Sequence, residues 1–201
     1  AEMRIHSVNF EHYNGAHDTR DWAFIRSGFD AAAKGVKAAG ADFLVLACNT
    51  LHTVSDAIET ATDLPFLHIV DACGAKLEAD GRHRPGLIGT AFTMAQPYFV
   101  DRLQHTSGMT PLLPDPDTQK ELSRIIFDDL THGIVRDEAI DYYLAAIQSL
   151  KDRGCDSIIL GCTELGMLVS KSNSPLPPYD TAGIHCEAIV NYALGPSSSR
   201  P

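Results

Sequence analysis

Two cysteines, Cys48 and Cys162, are the residues whose context could support chemistry. Each lies at the same point of a repeated segment, because residues 37–50 align without gaps with residues 151–164 at a constant offset of 114 (162 − 48). The lysine, glycine, aspartate, leucine and cysteine shared by the two copies indicate an internal duplication. In each copy a predicted helix ends at a glycine, and a short apolar strand follows and leads to the cysteine.

The position of the two cysteines favours catalysis over packing. Ligands bind at the carboxyl ends of strands in an open α/β sheet, and a helix start after the cysteine would lower the pKa of its thiol towards neutrality. Across a cleft, one thiolate could remove a proton from a carbon while the other thiol adds one from the opposite side. An isolated cysteine is more often a small packing residue, which is our expectation for Cys73, Cys155 and Cys186.

The elements that must hold these cysteines follow from the spacing of apolar residues. Apolar residues recur at helical intervals in two stretches that end at Gly40 and Gly154, where a glycine is typical of a helix end. Thr118 and Glu121 fit a capping box, which predicts another helix start. Short apolar strands without polar alternation predict a parallel sheet covered on both faces. The strand candidates are Ile5 to Phe10, Phe43 to Ala47, Phe66 to Ile69, Pro85 to Gly89 and Ser157 to Gly161.

The duplication predicts an α/β protein of two pseudo-symmetric lobes, each a parallel sheet flanked by helices, with the active site in the cleft between them. Residues 1–84 would form the first lobe, which a C-terminal helix could complete, residues 85–194 the second, and residues 195–201 a loose tail. In the second copy a strand ending at Thr90 precedes the cysteine by 72 residues (162 − 90). The same distance before Cys48 falls upstream of residue 1, so we expect the first lobe to lack its opening strand and helix.

Composition excludes several classes of protein. The 201 residues include 26 acidic and 16 basic side chains, for a formal charge of −10, and 44% are apolar. This balance suits a globular domain, and without a basic block the chain is a poor nucleic-acid binder. The apolar runs are too short to cross a membrane, and no secretory signal is visible. Five cysteines without a CxxC pair predict reduced thiols and a cytoplasmic location.

Polar residues near the strand ends are further candidates for the site. Asn49, Thr50 and Thr163 follow the two cysteines and carry side chains that can cap a helix. Thr90 and Ser7 stand at predicted strand ends, where they could contact a substrate, although a turn is an equally good role for Ser7.

Four more residues could support the site indirectly, and Glu164, beside Thr163, is one of them. His52 follows Cys48 by four residues, on the same face of a helix, but no further ligands with metal spacing accompany the pair, so we expect no metal. Asp180 and His185 could orient a catalytic thiol or cap a helix, and the sequence leaves both roles open.

Two segments carry a resemblance to a known family. Residues 47–52 (ACNTLH) and 160–165 (LGCTEL) resemble the paired signatures of the aspartate/glutamate racemase family. Glu164, where glutamate racemases usually carry histidine, points to the aspartate-racemase branch. The similarity extends over most of the chain, and its other segments are residues 5–10, 86–94 and 180–185, the last especially similar to broad-specificity amino-acid racemases.

The resemblance implies a cofactor-independent racemase that acts on aspartate, glutamate or a related amino acid. Cys48 and Cys162 would alternate as base and acid at Cα, without PLP or any other cofactor. Asn49, Thr50 and Thr163 would bind the carboxylate and the amino group, and a homodimer is expected.

Two other functions stay open. One is a related isomerase of the same superfamily, such as a hydantoin racemase or a maleate isomerase. The other is a catalytically impaired amino-acid-binding homologue, since family members begin with a glycine-rich strand and loop that helps to hold substrate, and this sequence starts after it.

Overall fold

The computed structural model describes residues 2–9, 11–13 and 21–195, so the predicted tail lies outside it except for Gly195. The chain divides into two compact units. The first unit contains the described residues up to Leu46, Leu51–His68 and the described residues from Ile189 onward. The second contains Ala47–Thr50 and Ile69–Ala188. None of the described helices combines the length and the apolar character that a membrane-spanning helix requires.

The first unit is built on two short parallel strands. Strand β1 (Leu44–Val45) pairs with β2 (Phe66–Leu67), and helix α1 (Trp22–Ala38) packs against helix α2 (Ser55–Ala61). A 3₁₀ helix, Thr50–Val54, leads into α2. The buried core residues of this unit are Ile25, Phe29, Ala33, Leu44, Val54 and Ile58.

The second unit contains a three-stranded parallel sheet. Its strands are β3 (Pro85–Ile88), β4 (Ser157–Leu160) and β5 (Pro178–Asp180), with β4 in the centre. The helices that begin in this unit are α3 (Ile69–Ala79), α4 (Ala91–Ala95), α5 (Pro97–Ser107), α6 (Pro116–Asp128), α7 (Asp137–Asp152) and α8 (Thr181–Leu194). Two 3₁₀ helices, Leu130–His132 and Thr163–Met167, complete it.

Both faces of this sheet are covered by helices. Ile158 and Leu160 pack in a core with residues of α6 and α7, whereas Ile159 packs in a second core with residues of α3 and α5. This alternation follows from the pleat, which points successive side chains to opposite faces. All three side chains are at most 1% exposed, which explains the run of apolar residues without polar alternation. The prediction of an α/β fold with parallel sheets flanked by helices is confirmed.

The two helix ends of the duplicated segment have the same local conformation. Gly40 and Gly154 both adopt positive φ angles, 87° and 91°. The backbone N–H of Gly40 donates to the carbonyl of Lys37 at 2.9 Å, and that of Gly154 donates to Lys151 at 2.8 Å. Glycine is favoured at both positions because a Cβ atom disfavours positive φ. The helix ends predicted at these glycines are therefore confirmed.

Two of the predicted elements differ in the structure. Residues 5–9 form neither helix nor strand, Ile5 is 79% exposed, and Phe10 lies outside the described residues. Because a strand needs a paired neighbour and no described strand pairs with this segment, the strand prediction is wrong for its described part. The strand predicted over 66–69 ends at Leu67, because α3 begins at Ile69.

The predicted capping box is also wrong, because α6 begins two residues before Thr118. Asp115 is the N-cap, and its Oδ1 accepts hydrogen bonds from the backbone N–H groups of Asp117 and Thr118 at 3.1 and 3.0 Å. Pro116 occupies the first helical position, where its missing N–H costs nothing. The Thr118 hydroxyl donates to Asp115 Oδ2 at 2.7 Å instead of capping a helix of its own.

Candidate active site

Both predicted catalytic thiols, called the elbow cysteines below, belong to the second unit. Gly161 separates Cys162 from β4, and the 3₁₀ helix Thr163–Met167 begins directly after it. The charge of Cys48 acts on the pKa of Cys162, and the charges of both cysteines act on the pKa of Tyr98. Because interactions between charges weaken with distance, these effects indicate that the two thiols and this phenol lie in one neighbourhood.

Cys162 is held as a thiol by its surroundings. Its Sγ donates a hydrogen bond to Oε2 of Glu164 at 2.9 Å, and the Thr163 hydroxyl donates to the same oxygen at 2.7 Å. Burial, followed by the hydrogen bond to Glu164 and the charge of Glu164, raises the pKa of Cys162 to about 12. At neutral pH the group therefore carries its proton.

The expectation that a helix start lowers the pKa is wrong for Cys162. The helix that follows has only five residues, and the carboxylate of Glu164 lies in its first turn. Burial raises the pKa of Glu164, but the hydrogen bonds that its carboxylate accepts, among them those from Cys162 and Thr163, together lower it by more. The pKa of Glu164 is therefore below its usual range. A buried thiol beside a carboxylate gains more from keeping its proton than a short helix can offset.

Close backbone packing fixes the position of Cys162. The N–H of Gly161 donates to the carbonyl of Ile88 at 2.8 Å, which extends the β3–β4 pairing to the residue before the cysteine. A Cβ atom at Gly161 would lie 3.1 Å from Cδ1 of Leu87 and 3.2 Å from the Ile88 carbonyl oxygen. The equivalent residue of the first copy is Ala47.

Asn49, beside the other elbow cysteine, belongs to a buried hydrogen-bond network. Its Nδ2 donates to Oγ1 of Thr181 at 3.1 Å, and the Thr181 hydroxyl donates to the Leu160 carbonyl at 2.8 Å. Asn49 is 5% exposed and Thr181 is fully buried. In the part of the chain that the structure describes, Oδ1 of Asn49 has no hydrogen-bond partner.

A second polar network includes Thr90, which caps α4. Its Oγ1 accepts a hydrogen bond from the backbone N–H of Thr93 at 3.1 Å. The hydroxyl of Tyr98 donates to Oγ1 of Thr93 at 3.3 Å. Burial and, to a smaller extent, the charges of the elbow cysteines raise the pKa of Tyr98 above its ordinary value, so it is a neutral phenol.

Two predicted residues belong to the first unit instead. Ser7 is exposed and lies outside any strand, so the strand end on which its prediction rested does not form. His52 is 1% exposed, and its ring centroid lies 4.3 Å from that of His68 and 5.7 Å from that of Phe66. His52 is therefore a buried residue that packs against aromatic rings of the first unit.

Asp180 caps a helix, which is one of the two roles that the sequence leaves open. Its carboxylate accepts hydrogen bonds from the backbone N–H groups of Ala182 at 3.1 Å and Gly183 at 3.3 Å, at the start of α8. His185 is buried in the same helix, and Thr50 is half-buried at the start of its 3₁₀ helix. Within the described ranges, no group of three or more His, Cys, Asp or Glu side chains could hold a metal ion.

Sequence reasoning missed Thr181 and Tyr98. Thr181 directly follows β5, so the rule that nominates residues at strand ends would have found it if β5 had been recognised. Tyr98 carries no such signal, since it lies in the first turn of α5 and reaches the elbow cysteines only through the packing of that helix.

Comparisons with known proteins agree on one family. The model of the family described as Asp/Glu/Hydantoin racemase matches residues 3–189. A solved structure from Yersinia pestis, of a protein assigned to the Asp/Glu racemases, is similar with a TM-score of 0.90 and 36% identity over 94% of this chain and 82% of that one. An aspartate racemase homologue from Pyrococcus horikoshii OT3 is similar with a TM-score of 0.85 and 27% identity over 96% and 83% of the two chains.

Curated proteins show the same relationship at lower identity. The broad specificity amino-acid racemase RacX of Bacillus subtilis is 25% identical over 168 residues, which cover 82% of this chain and 70% of RacX. Curated glutamate racemases are 27–28% identical, but the alignments cover only 48–62% of their length. The chain therefore spans about half of these glutamate racemases.

Proposed function

We propose that this chain, which belongs to the Asp/Glu/hydantoin racemase family, is an amino-acid racemase whose two proton carriers are Cys48 and Cys162. The observation that carries the proposal is the closeness of these two thiols, since the charge of one acts on the pKa of the other. Both follow a strand at the same point of a duplicated segment. The similarity to RacX and to the aspartate racemase homologue supports an amino acid as substrate.

The surroundings of Cys162 suggest the roles of the two thiols in the resting enzyme. Cys162 is a thiol with a pKa of about 12, so it would act as the acid, which leaves Cys48 to act as the base. The base removes the proton from Cα of one enantiomer, and Cys162 gives its proton to the opposite face. One Cα–H bond breaks and another forms, while the proton count of the enzyme stays constant.

This turnover leaves Cys48 as a thiol and Cys162 as a thiolate, which is the form that would process the opposite enantiomer. The thiolate of Cys162 would then lie beside the carboxylate of Glu164, 2.9 Å away in the resting state. Two like charges at that distance in a buried site repel each other. We infer that Glu164 favours the return to the resting state, in which Cys162 takes up a proton and Cys48 releases one.

The substrate carboxylate would be held by backbone N–H groups after the elbow cysteines, with Thr50 and Thr163 nearby. Such donors also stabilise the negative charge that develops as Cα loses its proton. The Thr163 hydroxyl proton is engaged by Glu164, so we assign its backbone N–H rather than its side chain to this role. Glu164 and the similarity to an aspartate racemase homologue favour aspartate over glutamate.

Substitution of each elbow cysteine by serine tests the proposal. Cys48→Ser and Cys162→Ser should each abolish racemisation, because a serine hydroxyl cannot replace a thiol as a base at neutral pH. The measurement is exchange of the Cα proton for solvent deuterium, followed separately from the L and the D enantiomer. Cys186→Ser, at an exposed cysteine of the same unit, is the matched control and should keep full activity.

Full two-way activity in either elbow variant would contradict the two-base mechanism. Because the family model also covers hydantoin racemases, hydantoins belong in the same substrate screen. A purified chain that binds aspartate or glutamate but exchanges no Cα proton would instead favour the non-catalytic homologue. Homodimerisation and a cytoplasmic location stay predictions.

A further inference from the structure

We propose that Thr181 is a positioning residue that orients the side-chain amide of Asn49, so that its oxygen is available to accept a hydrogen bond from the ammonium group of the substrate. This inference rests on the proposed racemase function, because it assumes an amino acid as ligand. It assigns to Thr181 a part in choosing that ligand, although Thr181 itself does not take part in the reaction.

The orientation of the Asn49 amide follows from counting protons. A threonine hydroxyl has one proton to donate, and Thr181 gives it to the Leu160 carbonyl at 2.8 Å, which as an acceptor cannot donate in return. Thr181 Oγ1 can therefore only accept from Asn49, 3.1 Å away. The Asn49 group that faces Thr181 must be the NH₂ group, which resolves the usual ambiguity between amide nitrogen and oxygen.

The amide oxygen is thereby left for a ligand. Asn49 is only 5% exposed, and its Oδ1 has no hydrogen-bond partner among the described residues. A buried acceptor without a hydrogen-bond partner costs free energy, and a donor that reaches it removes that cost. A carbonyl oxygen accepts most strongly from a cationic N–H group and repels a carboxylate. The ligand group that fits this oxygen is an ammonium.

The network is anchored on rigid elements close to the chemistry. Leu160 is the last residue of β4, and Thr181 directly follows the last residue of β5, which pairs with β4. Asn49 directly follows Cys48, the proposed base. An ammonium bound at its oxygen would therefore be held near Cys48, as the amino group of a substrate must be when Cα is attacked.

Replacement of Thr181 tests this role through ligand selectivity. Thr181→Val keeps the shape of the side chain but removes the hydroxyl, whereas Thr181→Ser keeps the hydroxyl. The dissociation constants of L-aspartate and of succinate, which lacks only the ammonium group, are measured by calorimetry for the wild type and both variants. The wild type should bind aspartate more tightly than succinate. In Thr181→Val the ratio of the two dissociation constants should shift about tenfold against aspartate, whereas Thr181→Ser should keep the wild-type ratio.

A double-mutant cycle separates positioning from a merely structural effect. In an Asn49→Leu background, where the amide is absent, Thr181→Val should cause no further loss of the aspartate preference. A structural defect would instead weaken aspartate and succinate alike in both backgrounds. The side-chain NH₂ protons of Asn49, observed by NMR without ligand, should be protected in the wild type and in Thr181→Ser but not in Thr181→Val.

Three results would overturn the proposal: a wild type without a preference for aspartate, an unchanged preference in Thr181→Val, or an unprotected Asn49 amide in the wild type. None of these measurements depends on turnover. Loss of the racemase proposal would appear separately, as a wild type that prefers aspartate yet exchanges no Cα proton.

Discussion

Replacement of Glu164 by glutamine should release the proton of Cys162 more easily. Glutamine keeps the length of the side chain and an acceptor oxygen for the thiol, but it removes the negative charge. The pKa of Cys162 is about 12 against an ordinary value of 9.0. The difference, 12 − 9 = 3, corresponds to about 4 kcal/mol in favour of the thiol, at about 1.4 kcal/mol for each pKa unit.

This free energy has two sources that the substitution separates. Burial is the larger, and the hydrogen bond and charge of Glu164 follow. Two negative charges about 4 Å apart repel each other by up to about 4 kcal/mol in a partly buried site, but the share left after burial is smaller. We therefore expect Glu164→Gln to lower the pKa of Cys162 by about one to two units, which gives about 10- to 100-fold more thiolate at neutral pH.

The assay is the pH dependence of alkylation by iodoacetamide, with the modified Cys162 peptide quantified by mass spectrometry. Only the thiolate reacts at an appreciable rate, so the profile of Glu164→Gln should move to lower pH. Glu138→Gln removes an exposed carboxylate from the same unit and should leave the profile unchanged. Superimposable profiles for the wild type and Glu164→Gln would show that burial alone holds the proton, and would refute the role given to Glu164.

The remaining predictions concern stability. Burial raises the pKa of the Cys73 thiol from 9.0 to about 12. Its contribution to the free energy of unfolding is therefore complete below pH 9, the pKa of the unfolded state, and is lost as the pH rises towards 12. One such group makes the free energy of unfolding fall by about 1.4 kcal/mol per pH unit above about pH 9. Cys73→Ala should therefore make this fall less steep, as measured by urea titrations at several pH values. An equally steep fall in the variant would contradict this. Gly161→Ala should cost about 1–3 kcal/mol through overpacking, measured by the same titrations, whereas Gly166→Ala, whose added Cβ meets nothing within 4 Å, should be close to neutral.

The duplicated segment shows how much of the fold a sequence can predict. A helix that ends at glycine and a buried strand are set by local conformational preference and apolar spacing, and both are present around Gly40 and Gly154. Strand β5 was missed because Pro177 and Pro178 suggest a loop, although proline is tolerated as the first residue of a strand. The pairing of β5 with β4 depends on residues about twenty positions apart, which local patterns do not reveal.

The sequence nominates the candidate site from its strand ends, but it does not predict the electrostatics of Cys162. The duplication and the strand-end rule together predict that Cys48 and Cys162 face each other across a cleft, because ligands bind at the carboxyl ends of strands in an open α/β sheet. The pKa of Cys162 depends on how deeply its sulfur is buried and on the 2.9 Å contact with Glu164. Both are properties of packing, so the general expectation of a lowered pKa had the wrong sign here.

The residues that follow the cysteines make the two halves of the site unequal. After Cys48, the amide of Asn49 is engaged by Thr181, whereas after Cys162 the hydroxyl of Thr163 and the thiol itself share the carboxylate of Glu164. For a racemase this asymmetry cannot favour one enantiomer at equilibrium, because the two have equal free energy. It requires kcat/KM to be equal in the two directions, while kcat and KM can each differ. A change at Glu164 must therefore alter kcat/KM by the same factor in both directions.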